Sequence, residues 1–171
     1  MTDHIHFILT GGTIDSEYYP PLETSVPNKT SILPEYILIK IKPYAEVTFE
    51  TICMLDSNDI TDDHRAKIVA AIQESKANKI IICHGTNTMT QSAEYIAKAL
   101  GKTDKTVVIT GAMIPLKEFA MSDGGFNLGF AMAEVLRLES GVYICMNART
   151  FKAGAVRKNT QAGQFEDQPS S

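Results

Sequence analysis

Five runs of apolar, mostly β-branched residues recur along the chain, and segments with a helical repeat separate them. The runs cover residues 4–10, 46–54, 79–83, 105–110 and 141–146. Apolar residues at helical spacing occupy 60–75, 88–100 and 125–138, and a short helix is predicted at 33–41. Because strands buried on both faces have continuous hydrophobic sequences, this alternation predicts a mainly parallel sheet with helices on both faces.

The pattern predicts a single doubly wound α/β domain of the flavodoxin- or Rossmann-like class over residues 1–171. The chain is 44% hydrophobic, which is enough for one core. No internal repeat or low-complexity linker divides it. A short polar tail is predicted at about residues 166–171.

Charge and cysteine content limit the partners. The formal net charge is −4 and the basic residues are scattered, so no nucleic-acid partner is expected. The N-terminal apolar run is too short for a secretory signal or a membrane span, and no membrane partner is expected. Cys53, Cys83 and Cys145 are isolated, which suits a reducing compartment. We expect a cytoplasmic protein with a small-molecule ligand.

No metal or other cofactor is expected. His4 and His6 share one strand face, but the histidines as a group do not show a metal-ligand pattern. The chain has neither G-x-G-x-x-G nor a P-loop lysine. A nucleotide- or flavin-binding domain is therefore the weakest functional hypothesis.

Residues 15–34 interrupt the alternation. They contain four of the seven prolines and no periodic apolar face. A long irregular segment in a compact domain is usually functional or disordered. This segment follows the first strand, at the carboxyl edge of the sheet where open α/β folds bind ligands. We interpret it as a flexible active-site lid.

Three predicted strands end in turns rich in glycine and hydroxyl groups, and all three turns belong to one edge of the sheet. They are T-G-G-T-I (10–14), H-G-T-N-T-M (84–89) and T-G-A-M-I-P (110–115). Paired glycines let the backbone approach a ligand closely, and the N-terminus of a helix favours an anion. Taken singly, the first motif is an ordinary turn and the second an ordinary helix cap.

Two further motifs, S-D-G-G-F-N-L (122–128) and V-R-K-N (156–159), complete a series that resembles the N-terminal, nucleophilic domain of the threonine-dependent L-asparaginases. The resemblance covers nearly the whole chain, as far as G-Q-F-E-D at 163–167. Full-length members of that family carry a second, smaller C-terminal domain, and we expect this chain to have none. The sequence is therefore similar to a short-chain branch of the family.

The family hydrolyses an amide through an acyl-enzyme, and the resemblance implies a role for individual residues. Thr13 matches the nucleophile, which needs a group that accepts or orients its proton. For the assisting tyrosine of the lid we prefer Tyr18 to Tyr19. Thr86 matches the second threonine and Lys158 the lysine paired with it. Such a lysine accepts a proton only if desolvation lowers its pKa.

The resemblance also implies substrate contacts. Ser57 matches the residue that holds the α-carboxylate of the substrate, and Asp56 and Ala112 are weaker matches near the same pocket. The backbone N–H groups of Gly12 and Thr13 are our candidates for an oxyanion hole.

Asn87 is the main departure from the family motif, which has aspartate at this position. That carboxylate lies between the second threonine and the lysine, and it also contacts the ammonium group of the substrate. Asparagine is nearly isosteric but neutral, and its NH₂ group donates where an acceptor is needed. Asn87 therefore takes part in catalysis and in substrate binding, and it predicts impaired activity.

Hydrolysis of L-asparagine to L-aspartate and ammonia is the leading functional hypothesis. L-Glutamine is a weaker candidate substrate, because one methylene group changes binding by only about 1–3 kcal/mol. The second hypothesis is a catalytically weak or inactive amino-acid-binding pseudoenzyme. We also expect a homodimer, since a partner copy or the lid has to close a site that lacks the C-terminal domain.

Overall fold

A six-stranded sheet forms the centre of the molecule, whose computed structural model describes residues 3–169 apart from the side chains of Phe119 and Ala120. The strands are β1 (His4–Gly11), β2 (Ser16–Tyr19), β3 (Thr24–Pro27), β4 (Glu46–Leu55), β5 (Lys79–Cys83), β6 (Thr106–Thr110), β7 (Gly141–Met146), β8 (Arg149–Lys152), β9 (Val156–Asn159) and β10 (Gln164–Asp167). The helices are α1 (Leu33–Glu35, continued by a π-helical stretch Tyr36–Ile41), α2 (Asp62–Glu74), α3 (Met89–Leu100) and α4 (Gly124–Arg137). Short 3-10 helices cover Thr13–Asp15, Pro20–Leu22, Ser57–Asp59 and Leu116–Met121.

The strand order in the large sheet is β4-β1-β5-β6-β7-β8. The first five strands in this order are parallel, and β8 runs antiparallel to β7 at one edge. The chain passes from β1 to β4 on one side of β1 and then crosses to β5 on the other side. In open α/β sheets, ligands bind at the carboxyl ends of the strands that flank such a reversal. The mainly parallel, doubly wound fold is confirmed.

Helices cover both faces of the sheet, and the side chains of β5 alternate between them. Ile80 and Ile82 pack in one cluster with residues of α2 and α3. Ile81 and Cys83 pack in the other cluster with residues of α1 and α4. All four side chains are fully buried, and burying an isoleucine contributes about 1.5–3 kcal/mol. Burial on both faces is the reason for the continuous apolar runs.

The predicted elements of the core agree with the structure to within two residues. The strands at 79–83 and 141–146 have the predicted bounds, and Thr61 is the N-cap residue of α2. Among residues 3–169, no helix is both long enough and apolar enough to cross a bilayer.

Residues 15–34 are more regular than the sequence predicts. β2 and β3 pair as an antiparallel hairpin with Ser16 opposite Pro27; we call residues 16–27 the lid hairpin. Asp15, just before it, is fully buried. The prediction of an irregular segment is wrong here, because two short polar strands show no apolar alternation.

The predicted polar tail at 166–171 also needs correction. Residues Gln164–Asp167 form β10, which pairs with β9, and Phe165 is buried. Residues 168 and 169 follow this strand, and residues 170 and 171 lie outside the described part of the chain. The polar tail therefore begins after Asp167.

Candidate active site

The turn after β1 and the turn after β5 are in direct contact. A Cβ atom on Gly12 would lie 2.3 Å from the backbone nitrogen of Gly85, where the two atoms would overlap. Gly12 also has a φ of 72°, a conformation that favours glycine. Thr13 and Thr86 directly follow these glycines, so the two threonines belong to touching turns.

The turn after β4 packs on the same glycine. A Cβ atom on Gly85 would lie 2.7 Å from Oγ of Ser57, which is itself buried. The hydroxyl of Thr88 donates to the carbonyl of Ser57 at 2.6 Å. The carboxylate of Asp56 accepts from the N–H of Asn58 at 2.8 Å and so caps a short helix. The residues predicted to bind the α-carboxylate therefore lie beside the turn after β5.

Lys158 in β9 contacts this same turn. Its Nζ donates to Oγ1 of Thr86 at 2.8 Å and to Oδ1 of Asn87 at 2.7 Å. Thr86 is buried, whereas Asn87 is exposed. The amide oxygen of Asn87 supplies the acceptor, so its NH₂ group does not donate toward the lysine. The prediction that this NH₂ group would occupy the acceptor position is wrong at this contact.

Burial lowers the pKa of Lys158, and the negative charge of Asp56 partly opposes that change. A lysine with a lowered pKa is a weaker base than a lysine in water, but a larger fraction of it is the neutral amine, which is the form that can accept a proton. Asn87 contributes an acceptor but no charge. Asp56 is thus the carboxylate whose charge acts on the ammonium group.

The strand that carries Lys158 is supported by β10. Nε of Arg157 donates to Glu166 at 2.8 Å, and the NH₂ group of Asn159 donates to the same carboxylate at 3.1 Å. These hydrogen bonds, that from Asn159 first and that from Arg157 second, lower the pKa of Glu166. Phe165, in the same strand, is buried. The hairpin of β9 and β10 therefore holds the lysine in place.

The turn after β6 packs on the backbone of His84. A Cβ atom on Gly111 would lie 2.3 Å from the carbonyl oxygen of His84, and Ala112 is fully buried. Asp123 accepts from two backbone N–H groups of this turn, each at 2.9 Å. The NH₂ group of Asn127 donates to the Gly111 carbonyl at 3.0 Å and to Asp123 at 2.9 Å. The S-D-G-G-F-N-L motif thus supports the edge of the site that carries Ala112.

A buried polar network fixes the turn after β5 from beneath. Nδ1 of His84 contacts the Gly85 carbonyl at 2.8 Å, and its Nε2 contacts the Ser92 hydroxyl at 2.9 Å. Burial lowers the pKa of His84 to about 4, so the ring is neutral at pH 7 and Nδ1–H donates to the carbonyl. Arg65 donates to Ser92 at 3.0 Å and pairs with Asp62 at 2.7 Å.

Thr13 is half-buried at the start of a short helix, and within residues 3–169 no hydrogen bond to its hydroxyl is found. The N–H of Gly12 donates to the carbonyl of Leu55 at 2.8 Å. This N–H is therefore already engaged. Of the two groups predicted for an oxyanion hole, the N–H of Thr13 is the one we retain.

Tyr18 and Tyr19 are neighbours in β2, with exposed fractions of 54% and 47%. Consecutive residues of a strand face opposite sides. Tyr19 lines a hollow of about 620 Å³ together with Val26 and Lys117, among others, and Tyr18 does not line it. The two tyrosines thus face different environments, and the choice of Tyr18 stays a prediction.

Arg65, Ser92 and Asp15 support the site, although no sequence motif singles them out. Arg65 and Ser92 occupy the buried faces of α2 and α3, in phase with the apolar residues. A polar residue on an otherwise apolar helix face is the signal that identifies such positions, since it needs a buried partner. The sequence alone does not show which residue that partner is.

Comparison with known proteins identifies the family of this chain. The family model described as Asparaginase, N-terminal matches residues 4–166. A probable periplasmic L-asparaginase of Haemophilus influenzae is 30% identical over 169 residues, which cover 92% of this chain and 46% of that protein. A glutaminase-asparaginase of Acinetobacter glutaminasificans is 28% identical over 167 residues, covering 91% of this chain and 50% of that protein.

Among solved structures, a probable cytoplasmic L-asparaginase from Campylobacter jejuni is similar, with a TM-score of 0.78 and 26% identity. The match covers 97% of this chain and 53% of the other. The chain thus spans about half the length of these relatives. From the family match and the turns gathered at the sheet edge, we conclude that the chain belongs to the asparaginase family and corresponds to its N-terminal domain.

Proposed function

We propose that this chain is an asparaginase-type amidohydrolase that converts L-asparagine into L-aspartate and ammonia through an acyl-enzyme on Thr13. The observation that carries the proposal is the contact of Lys158 with Thr86 and Asn87, in a turn that touches the turn of Thr13. A hydroxyl nucleophile and a second hydroxyl paired with an ammonium group are suited to a two-step acyl transfer.

In the first step, the oxygen of Thr13 attacks the carboxamide carbon of the substrate. The C–N bond breaks, and the hydroxyl proton leaves with the nitrogen as ammonia. We assign the N–H of Thr13 to the developing oxyanion and Tyr18 to the orientation of the nucleophile. Ser57, with Asp56 beside it, receives the α-carboxylate, and the backbone of Ala112 borders the same space.

In the second step, water attacks the ester carbon on Thr13, the bond from that carbon to the oxygen of Thr13 breaks, and L-aspartate is released. The proton of this water passes to the pair formed by Thr86 and Lys158, and a proton returned from this pair regenerates the hydroxyl of Thr13. The lowered pKa of Lys158, which burial causes, increases the fraction of neutral amine that is available to accept the proton.

An amino-acid-binding protein with little or no turnover is the second candidate, and the contact of Asn87 favours low turnover. Its neutral oxygen lies 2.7 Å from Nζ of Lys158. A carboxylate at this point would balance the charge of the lysine, and an amide does not. Binding without turnover is the expected behaviour of such a protein.

Ammonia release from L-asparagine separates the two candidates. We expect release by the wild-type chain and a loss of at least about a thousandfold in Thr13→Ala. Thr90→Ala, which alters a half-buried threonine of α3, is the control and should stay within about twofold. Mass spectrometry after incubation with L-asparagine should detect an acyl adduct on Thr13. Undiminished release by Thr13→Ala would refute the nucleophile, and calorimetric binding without release would favour the sensor.

Asn87→Asp should raise turnover at least about a hundredfold, which corresponds to about 2.7 kcal/mol of transition-state stabilisation. The reason is that a charged partner is placed beside Lys158 and at the position where the family binds the ammonium group of the substrate. Asn78→Asp adds the same charge at the opposite end of β5 and serves as the control. Equal turnover in the wild-type chain and in Asn87→Asp would remove residue 87 from the mechanism.

Three finer proposals accompany this function. We propose L-glutamine as a weaker substrate, tested by the ratio of the kcat/KM values for L-asparagine and L-glutamine.

We propose a homodimer in which a partner copy helps to close the site. A fully active monomer at micromolar concentration in sedimentation would refute it. We also propose a cytoplasmic location, because Cys53, Cys83 and Cys145 are all free thiols. Recovery of the protein in a periplasmic fraction would contradict it.

A further inference from the structure

Asp15 is a buried carboxylate that the proposed chemistry does not use. It lies two residues after Thr13 and is completely excluded from solvent. Burying a carboxylate costs free energy unless its oxygens are hydrogen-bonded or paired with a charge. The buried carboxylate of Asp15 therefore needs hydrogen-bond partners.

One oxygen of Asp15 joins two residues on the far side of the lid hairpin. Oδ1 accepts from the NH₂ group of Asn28 and from the backbone N–H of Ile32, both at 3.0 Å. The N–H of Asp15 donates to the Gly12 carbonyl at 3.1 Å, and its own carbonyl accepts from the N–H of Asn28 at 3.0 Å. Asp15 thus connects the turn that bears Thr13 with both ends of the lid hairpin.

The outer part of the lid hairpin has weaker attachments. Residues 17–24 are all exposed. Glu17 forms an ion pair with Lys117 at 2.5 Å, but both side chains are about half exposed, and such pairs contribute little. The placement of Tyr18 on this hairpin therefore depends on its base, where Asp15 and Asn28 form a neck and Oγ of Ser16 donates to the Gly12 carbonyl at 2.7 Å.

The second oxygen of Asp15 takes no part in this neck. Oδ2 is buried and has no hydrogen-bond partner among the residues that the structure describes. All side-chain contacts of the neck thus use one acceptor oxygen. An asparagine at position 15 can supply the same oxygen without the charge.

We propose that Asp15 is a positioning residue, whose Oδ1 fixes the neck of the lid hairpin to the turn that carries Thr13. The inference rests on the proposed function, since it sets the orientation of the nucleophile relative to the lid. A misplacement of about 1 Å costs about a hundredfold in rate. Asp15→Ala should therefore lower kcat about a hundredfold and change KM less than about threefold, because the contact between Thr86 and Lys158 stays intact.

Two milder variants cover the case in which Asp15→Ala does not fold. Every variant, including the control, is measured in the Asn87→Asp background, which we expect to be more active. Asp15→Asn keeps the acceptor oxygen and should retain kcat within about threefold. Asn28→Ala removes one of the two donors and should lower kcat about tenfold. Ser25→Ala changes the lid hairpin away from its neck and should leave kcat unchanged.

Amide hydrogen exchange tests the neck without relying on turnover. Exchange across residues 12–28 should become at least about tenfold faster in Asn28→Ala and stay unchanged in Asp15→Asn and Ser25→Ala. Unchanged exchange and kcat in Asn28→Ala would overturn the inference, as would an Asp15→Asn variant that loses as much as Asp15→Ala. If neither the wild-type chain nor Asn87→Asp releases ammonia, the proposed hydrolysis fails, and exchange alone decides the role of Asp15.

Discussion

The turns at the sheet edge and the lid hairpin lie on either side of Thr13, and they are held in opposite ways. In the turns, backbones touch so closely that Gly12 and Gly85 leave no room for a methyl group. In the lid hairpin, residues 17–24 are exposed, and hydrogen bonds near its base, from Asn28, Ile32 and Ser16, attach it to the turn of Thr13. Packing thus fixes one side of the site and a few polar contacts fix the other. Substitutions in the turns should therefore lower the free energy of unfolding far more than substitutions in the lid hairpin.

Gly12→Ala should have the largest effect. Its Cβ atom would overlap the nitrogen of Gly85, and its φ of 72° is unfavourable for alanine, so the free energy of unfolding should fall by about 4 kcal/mol. Gly154→Ala is the control, because Gly154 has a φ of 82° but no atom within 4 Å of an added Cβ. It should lose only about 1–2 kcal/mol. Urea denaturation measures both, and equal losses would show that the turns are not tightly packed.

Acidification should weaken the turns through His84, whose pKa burial lowers from 6.5 to about 4. Above pH 6.5 the ring is neutral in both states and contributes no pH dependence. Between about pH 6.5 and 4 the unfolded chain binds a proton that the buried ring does not, so the free energy of unfolding should fall by about 3 kcal/mol.

Urea denaturation across this pH range, compared with His84→Asn, isolates the contribution of the ring. The asparagine variant keeps a donor for the Gly85 carbonyl but cannot titrate. Its stability should therefore decline less steeply than that of the wild-type chain. Parallel curves would mean that His84 titrates as an exposed histidine does.

The smallest effect is expected in the lid hairpin, from Glu17→Gln. This change removes the ion pair with Lys117, whose side chains are about half exposed, so stability should fall by about 0.5 kcal/mol or less. Ammonia release should stay within about twofold. A larger loss, insensitive to added salt, would show that the outer hairpin is anchored as firmly as the turns.

The central sheet was predictable because its strands are buried on both faces. The runs at 79–83 and 141–146 match the strands residue for residue, since each apolar stretch ends at a polar residue that begins the following turn. The lid hairpin and the pair of β9 and β10 were not predicted. Their strands are only four residues long and largely polar, so their identity depends on the partner strand and not on local sequence.

The location of the site followed from glycine-rich turns at one sheet edge, but its detailed contacts did not. The N–H of Gly12 is engaged by Leu55, a residue 43 positions away, and Asp15 pairs with Asn28 across the hairpin. Such partners are brought together by tertiary packing, for which periodicity gives no signal. For this reason the sequence did not show that the N–H of Gly12 is engaged, and a role for Gly12 in substrate binding stays a prediction.

The pairing of β9 with β10 has a consequence for any shortened version of the chain. A chain cut after Gly163 would still contain Thr13, Thr86 and Lys158, yet it would lose the strand that braces the lysine through Glu166. It would also lose Phe165, whose N–H donates to Asn147 at 3.0 Å. The part of the chain that holds Lys158 in place therefore extends at least to Asp167.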